Sequence, residues 1–223
     1  MAYRILVTGW GRAGTQYAAR LLTALGVPCT HEQVYRHDLD PCRPWSAAAE
    51  LSDRWRGKPA CASWLAVPFL SQLPADVVVW HQRRDPLKVV RCWRDNGLLS
   101  NDDASARFVR ALLPECREGT DLERAVWYCL RWGQMVRAAH WAGDFTLYGY
   151  NVEDLNAGRL RGWLAACGHE VSAEAVAGAM AAVPPGIGAC GRPHGPLTWD
   201  EIRAVRGGQE LASLARGYGY EVG

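Results

Sequence analysis

An α/β fold organised on a mostly parallel sheet is what the sequence predicts, and three observations carry the prediction. Residues Tyr3 to Thr8 form an apolar run rich in β-formers that Gly9 stops, and helical spacing follows from Gln16. Residues Asp76 to His81 (DVVVWH) form a continuous β-branched run of the sort buried in parallel sheets. Helical patterns separate the strand candidates, and strands alternating with helices imply right-handed crossovers.

In chain order, the first strand is followed by a glycine turn and a helix over Gln16 to Leu25, with Tyr17, Leu21, Ala24 and Leu25 at helical spacing. A second strand is expected at Val27 to His31 and a third at Ala60 to Trp64. The strand at Asp76 to His81 runs into QRRDP and a helix over Leu87 to Arg94. Helices follow at Ala104 to Leu113 and Asp121 to Ala142, where Asp121 is a plausible cap. Phe145 to Tyr150 reads as another sheet strand. The tail carries helices near Arg159 to Cys167 and Ala173 to Ala182, a Pro/Gly-rich loop from Val183 to Pro196, and a last helix around Trp199 to Arg216. That loop reads as a lid or binding loop of the same domain.

About half of the 223 residues are hydrophobic, enough to bury one substantial core, so residues 1–223 are read as a single domain. Basic and acidic residues nearly balance at a net charge of +2, which argues against a broad nucleic-acid footprint; any anion site must be local. The eight cysteines show no CxxC pair and no zinc-ribbon spacing, so no structural metal is expected. The opening MAYRILVTGWGR lacks signal-peptide character and no apolar stretch is long enough to span a bilayer, so a cytoplasmic location with reduced thiols is expected. The eleven tryptophans are scattered and read as core.

The chemistry starts at GWGRAGTQ. Gly9 and Gly14 match the first and sixth positions of the G-x-x-x-x-G-K-[ST] phosphate loop, but Thr15 stands where that motif requires lysine. What remains is a strand-to-helix turn whose backbone N–H groups, at the positive end of a helix, converge on an anion. Gly11 and Gly14 permit close approach, and Arg12, Thr15 and Gln16 supply further donors. Gly9, Gly11 and Gly14 also fit the dinucleotide fingerprint G-x-G-x-x-G, with Glu32 as the ribose-binding acid, so an NAD(P)-binding oxidoreductase of Rossmann type stays open.

GRAGTQYAARLL is similar to the 5′-phosphosulfate loop of the P-loop sulfotransferases, where a basic residue stands two before a glycine, as Arg12 and Gly14 do. The resemblance, to a bacterial-type member, implies a P-loop NTPase-like three-layer sandwich: a central, mostly parallel sheet flanked by helices. It implies that Gly11, Arg12, Ala13, Gly14, Thr15 and Gln16 hold the 5′ end of the donor 3′-phosphoadenosine 5′-phosphosulfate (PAPS), with no metal required. The segment from Arg84 resembles the family's 3′-phosphate motif, R-[DN]-P-x-[DK]-x-x-x-S. Arg84 matches its arginine, whereas Cys92 stands at the serine position. LYGYNVEDL and the terminal LTWDEI and YGYE resemble later family segments. Arg192 and His194 lie where the family's C-terminal loop crosses the donor's 3′ side, which makes them candidates by position.

Sulfuryl transfer needs a base for the acceptor proton and cations for the developing charge. By the same resemblance the glutamate after the second strand, Glu32, is the first choice for base and His31 the second, with Arg12 steadying the transferred group. The expected activity is transfer of a sulfuryl group from PAPS to a hydroxyl or amine of a small-molecule, glycan or peptide acceptor. A nucleotide-binding module that has lost turnover is the third reading, suggested by Cys92.

Overall fold

The computed structural model describes residues 2–143, 145–184 and 194–223. Five parallel strands form one sheet: β1 (Arg4–Gly9), β2 (Cys29–His31), β3 (Ala60–Ala62), β4 (Val77–Arg83) and β5 (Leu147–Asn151), in the order β2-β3-β1-β4-β5. Alternation along the strands feeds two cores. Ile5, Val7, Val78 and Trp80 pack on one face against helices α1 (Thr15–Ala24), α6 (Ala157–Ala166) and α7 (Ala173–Ala182). Leu6, Val77 and Val79 face the other way, toward α3 (Pro86–Asp95), α4 (Ala104–Leu112), α5 (Asp121–Ala142), α8 (Trp199–Ala204) and α9 (Gly208–Gly217). The chain is therefore a three-layer α/β sandwich. No helix among the described residues is long and apolar enough to cross a membrane.

The departures from the sequence expectation have local causes. The third strand stops at Ala62, because Trp64–Gln72 winds into a 3-10 segment whose apolar side chains are buried. Helix α2 (Ala48–Trp55), not anticipated, buries Leu51 and Trp55. Helix α5 is capped not by Asp121 but by Thr120, whose hydroxyl and backbone N–H form a capping box with Glu123. The last helix is two, divided before Gly207, which adopts φ 81°.

Strand order also says where a ligand would sit. The chain leaves β1 toward β2 and leaves β4 in the opposite direction toward β5, yet β1 and β4 are neighbours. Crevices of open parallel sheets lie at such a switch point, outside the carboxyl ends of the strands. The residues there are the 9–14 turn and Gln82 to Asp85, with Gly9 opposite Gln82 in register.

His81 sits on the buried α5 side of β4, its ring 5.8 Å from that of Tyr218. Burial, reinforced by the charges of Arg83 and His140, pushes its pKa down to about 3. Unfolded, it titrates at about 6.5. Between those values the unfolded chain binds more protons, so stability falls as pH falls, by up to about 1.4 kcal/mol per pH unit. Thermal melts of His81→Phe across that window are expected to show a flatter pH dependence than the wild type.

Candidate functional site

The turn between β1 and α1 is held from outside at three consecutive carbonyls. Trp93 Nε1 donates to the Gly11 carbonyl (3.1 Å), Arg84 Nη1 to that of Arg12 (2.9 Å), and Gln82 Nε2 to that of Ala13. A peptide's N–H points opposite its C=O, so these bonds also set the direction of the N–H groups that follow. The Ala13 N–H turns back to the Trp10 carbonyl (3.1 Å), and the Gly11 N–H donates to the buried Tyr128 hydroxyl (2.7 Å). The N–H groups of Arg12, Gly14, Thr15 and Gln16 have no acceptor among the described residues. No acidic residue occupies the first turn of α1. The result is a positive helix end with no acid in its own first turn, joined to loop amides that lack an acceptor among the described residues, an arrangement able to hold an anion.

The glycines explain why the turn takes this shape. A Cβ on Gly11 would lie 2.8 Å from the Trp93 ring and 3.0 Å from the Tyr128 hydroxyl. Gly14 adopts φ 99°, in the left-handed region that glycine enters without steric cost. Arg12 is held at φ 72°, and its guanidinium makes no hydrogen bond or ion pair among the described residues. Glu32 adopts φ 54°. Among the described residues these two are the non-glycine positions with positive φ, and both line one cavity of about 220 Å³. Backbone strain of this kind costs about 1–3 kcal/mol and gathers at functional sites.

That cavity also receives Gly11, Gly14, Thr15, Gln16 and His31. His31 Nε2 lies 3.1 Å from Thr15 Oγ1 and 3.5 Å from Glu32 Oε1, so a threonine at the helix start, an imidazole and a carboxylate form one chain. The Glu32 N–H is held by the Ala62 carbonyl (3.1 Å), which fixes the exit from β2. The rest of the wall comes from Trp64, Trp93, Leu98, Asp103 and Ser105. Trp64 and Trp93 meet edge to face at 5.9 Å and are backed by Tyr128 and Trp132. Asp103 caps α4, and Ser105 Oγ lies 3.1 Å from His37 Nε2.

The structure thus brings Gly11, Arg12, Gly14, Thr15, Gln16, His31 and Glu32 together around one cavity. Ala13 is buried beneath the loop, and its carbonyl takes the Gln82 bond. Arg84 adjoins the loop but uses one donor to brace it. Cys92 does not line the cavity: it is 4% exposed on α3, beside Asn96, and it contributes, after burial and Cys116, to raising the pKa of Cys129 on α5. Arg83 is half-buried, its guanidinium 4.8 Å from the centre of the Tyr218 ring. His194 pairs with Asp95 at 3.2 Å, at the far end of α3. Arg192 lies outside the described residues. Sequence reading missed Gln82 and Tyr128 as supports and Trp93, Leu98, Asp103 and Ser105 as walls. Only Asp103 carried a local signal, a helix cap, and a cap does not reveal what it faces. Neither family models, curated proteins nor solved structures offer a match to this chain.

Proposed function

We propose that this chain is a sulfotransferase of P-loop NTPase-like fold that moves a sulfuryl group from PAPS to a hydroxyl or amine acceptor. The observation that carries the reading is the clamped turn: the N–H groups of Arg12, Gly14, Thr15 and Gln16 and the Arg12 guanidinium, all without a partner among the described residues, open on the cavity that holds Glu32. The 5′-phosphosulfate would lie in this cradle, where the amides and Arg12 favour the charge that builds on the leaving phosphate. Glu32 would take the acceptor's proton as the acceptor oxygen or nitrogen bonds to sulfur and the sulfur–oxygen bond to the phosphate breaks. His31 would orient Glu32 and Thr15. Arg84 would meet the 3′-phosphate with the donors its bond to the loop leaves over; Cys92, turned toward α5, is given no part in that contact.

The strand order weighs against the dinucleotide alternative. There the ribose-binding acid comes from the strand next to β1, whereas β2, which delivers Glu32, is separated from β1 by β3. A binding module without turnover would show bisphosphate affinity and no release of sulfuryl from labelled donor.

Calorimetric titration with adenosine 3′,5′-bisphosphate tests the reading. Binding is expected in the wild type, with Arg12→Ala and Arg84→Ala each weakening it by about 1–3 kcal/mol, as for charged hydrogen bonds. Undiminished affinity in both variants would remove the proposal, and stabilisation by NAD(P) alone would favour the dinucleotide reading.

A further inference from the structure

We infer that Gln82 and Tyr150 form a two-residue lever that sets the conformation of the anion loop, Gln82 acting as a positioning residue and Tyr150 fixing its amide. For the nucleotide part this rests on the function proposed above; for the loop it rests on geometry alone. Gln82 is fully buried at the end of β4, in register with Gly9 on one side and Tyr150 on the other. Its Oε1 accepts from the Tyr150 hydroxyl at 2.5 Å, and its Nε2 donates to the Ala13 carbonyl. Neither side chain lines the cavity, so neither meets a ligand there.

The pair has one satisfied state. Were the amide reversed, its oxygen would oppose the Ala13 carbonyl, acceptor against acceptor, at a fully buried position. The Ala13 carbonyl, which can only accept, excludes that state; the Tyr150 hydroxyl, donating to Oε1, holds the amide in the satisfied one. With the Ala13 carbonyl drawn to Nε2, the Gly14 N–H of the same peptide must point the other way, toward the side on which Gly14 meets the cavity. A Cβ on Gly14 would stand 2.9 Å from Nε2, so the side chain fills the space under the loop as well as bonding to it. A donor at this spot is the requirement; bulk alone does not meet it.

Gln82→Glu separates the two. The substitution keeps shape and keeps the bond from Tyr150, but once ionised it presents a carboxylate oxygen to the Ala13 carbonyl. Burial and that carbonyl raise the new carboxyl's pKa, so by pH about 5 it is protonated and donates again. Hydrogen exchange by NMR, corrected for intrinsic rates, would be followed at the bonded amides of Gly11, Ala13 and Ala18. Above the introduced carboxyl's own pKa, read from its carbon-13 shift, exchange about tenfold faster than wild type is expected, converging on the wild type at pH about 5, with α6 and α7 unchanged. Affinity for adenosine 3′,5′-bisphosphate, taken as a ratio to wild type at each pH, should follow the same course. Exchange equal to wild type while the carboxyl is ionised, or acceleration that ignores its ionisation, would overturn the inference; a carboxyl that stays protonated throughout passes the test to Tyr150→Phe.

Should Gln82→Glu fail to fold, Tyr150→Phe carries the test: it removes one hydroxyl and is expected to accelerate exchange at the same three amides without pH dependence. Acceleration spread through α6 and α7, or none, would overturn the inference in that variant. If the wild type does not bind the bisphosphate while exchange behaves as stated, the nucleotide reading falls and the lever stands. If the wild type binds it while exchange in the variants is unaltered, the lever falls and the nucleotide reading stands.

Discussion

Gly9→Ala is expected to destabilise the fold by about 3 kcal/mol or more, at or above the upper end for overpacking in a well-packed interior. A Cβ at this position would lie 2.0 Å from the Gln82 carbonyl oxygen and 3.1 Å from its carbon, both backbone atoms of the adjacent strand. A flexible side chain could swing aside; this carbonyl cannot, because Gln82 is also in register with Tyr150 on β5. Relief therefore requires β1 and β4 to part at the centre of the sheet, where the turn begins. Urea unfolding should show a lower midpoint, and the surviving folded protein should bind adenosine 3′,5′-bisphosphate less tightly, since Gln82 also holds the Ala13 carbonyl. Gly162→Ala is the control: it lies in α6, nothing would stand within 4 Å of the new Cβ, and alanine there should stabilise by up to about 1 kcal/mol. A Gly9→Ala midpoint equal to wild type would mean that the strand end yields.

What was legible in the sequence, and what was not, follows from how local each signal is. The glycine spacing, Arg12 and the strand before them are consecutive residues, and together they indicate a strand, a turn and a helix start. The β-branched run of β4 and the small-residue helix α7 were also readable. His31 and Glu32 could be placed after a second strand, but only the sheet brings that strand's end beside Thr15. The supports of the loop are not local at all: Tyr128 lies 117 residues from Gly11, and Trp93 lies 82 from it. Each is an apolar helix residue in pattern terms, and its polar atom becomes informative only through packing. Cys92 shows the converse case. Its spacing from Arg84 fits a binding motif, yet it sits one residue before Trp93, which reaches the cavity, and about 100° of helix rotation turns the thiol toward α5 instead. Arg84 was read as a ligand residue, and its bond to the Arg12 carbonyl adds a bracing role that sequence could not suggest.

Glu32→Gln is expected to lower turnover by about a hundredfold to ten-thousandfold while leaving affinity for the bisphosphate close to wild type, the range for loss of a general base. Glu32 faces the cavity from a backbone held at φ 54° by the bond from its N–H to Ala62, so the amide should occupy the same position without the same basicity. Turnover can be followed as release of bisphosphate from saturating PAPS, with water or an added alcohol as acceptor. Asp103→Asn separates base from mere negative charge: Asp103 shares the cavity, but its structural task is to cap α4, which asparagine performs about as well. That variant should retain most activity. His31→Gln should fall between the two, because it removes the link from Thr15 to the carboxylate but leaves the carboxylate itself. If Glu32→Gln keeps its activity and His31→Gln loses it, the imidazole is the base and Glu32 orients it. The 3.5 Å between them permits either order, and the two variants together decide which group the proton reaches first.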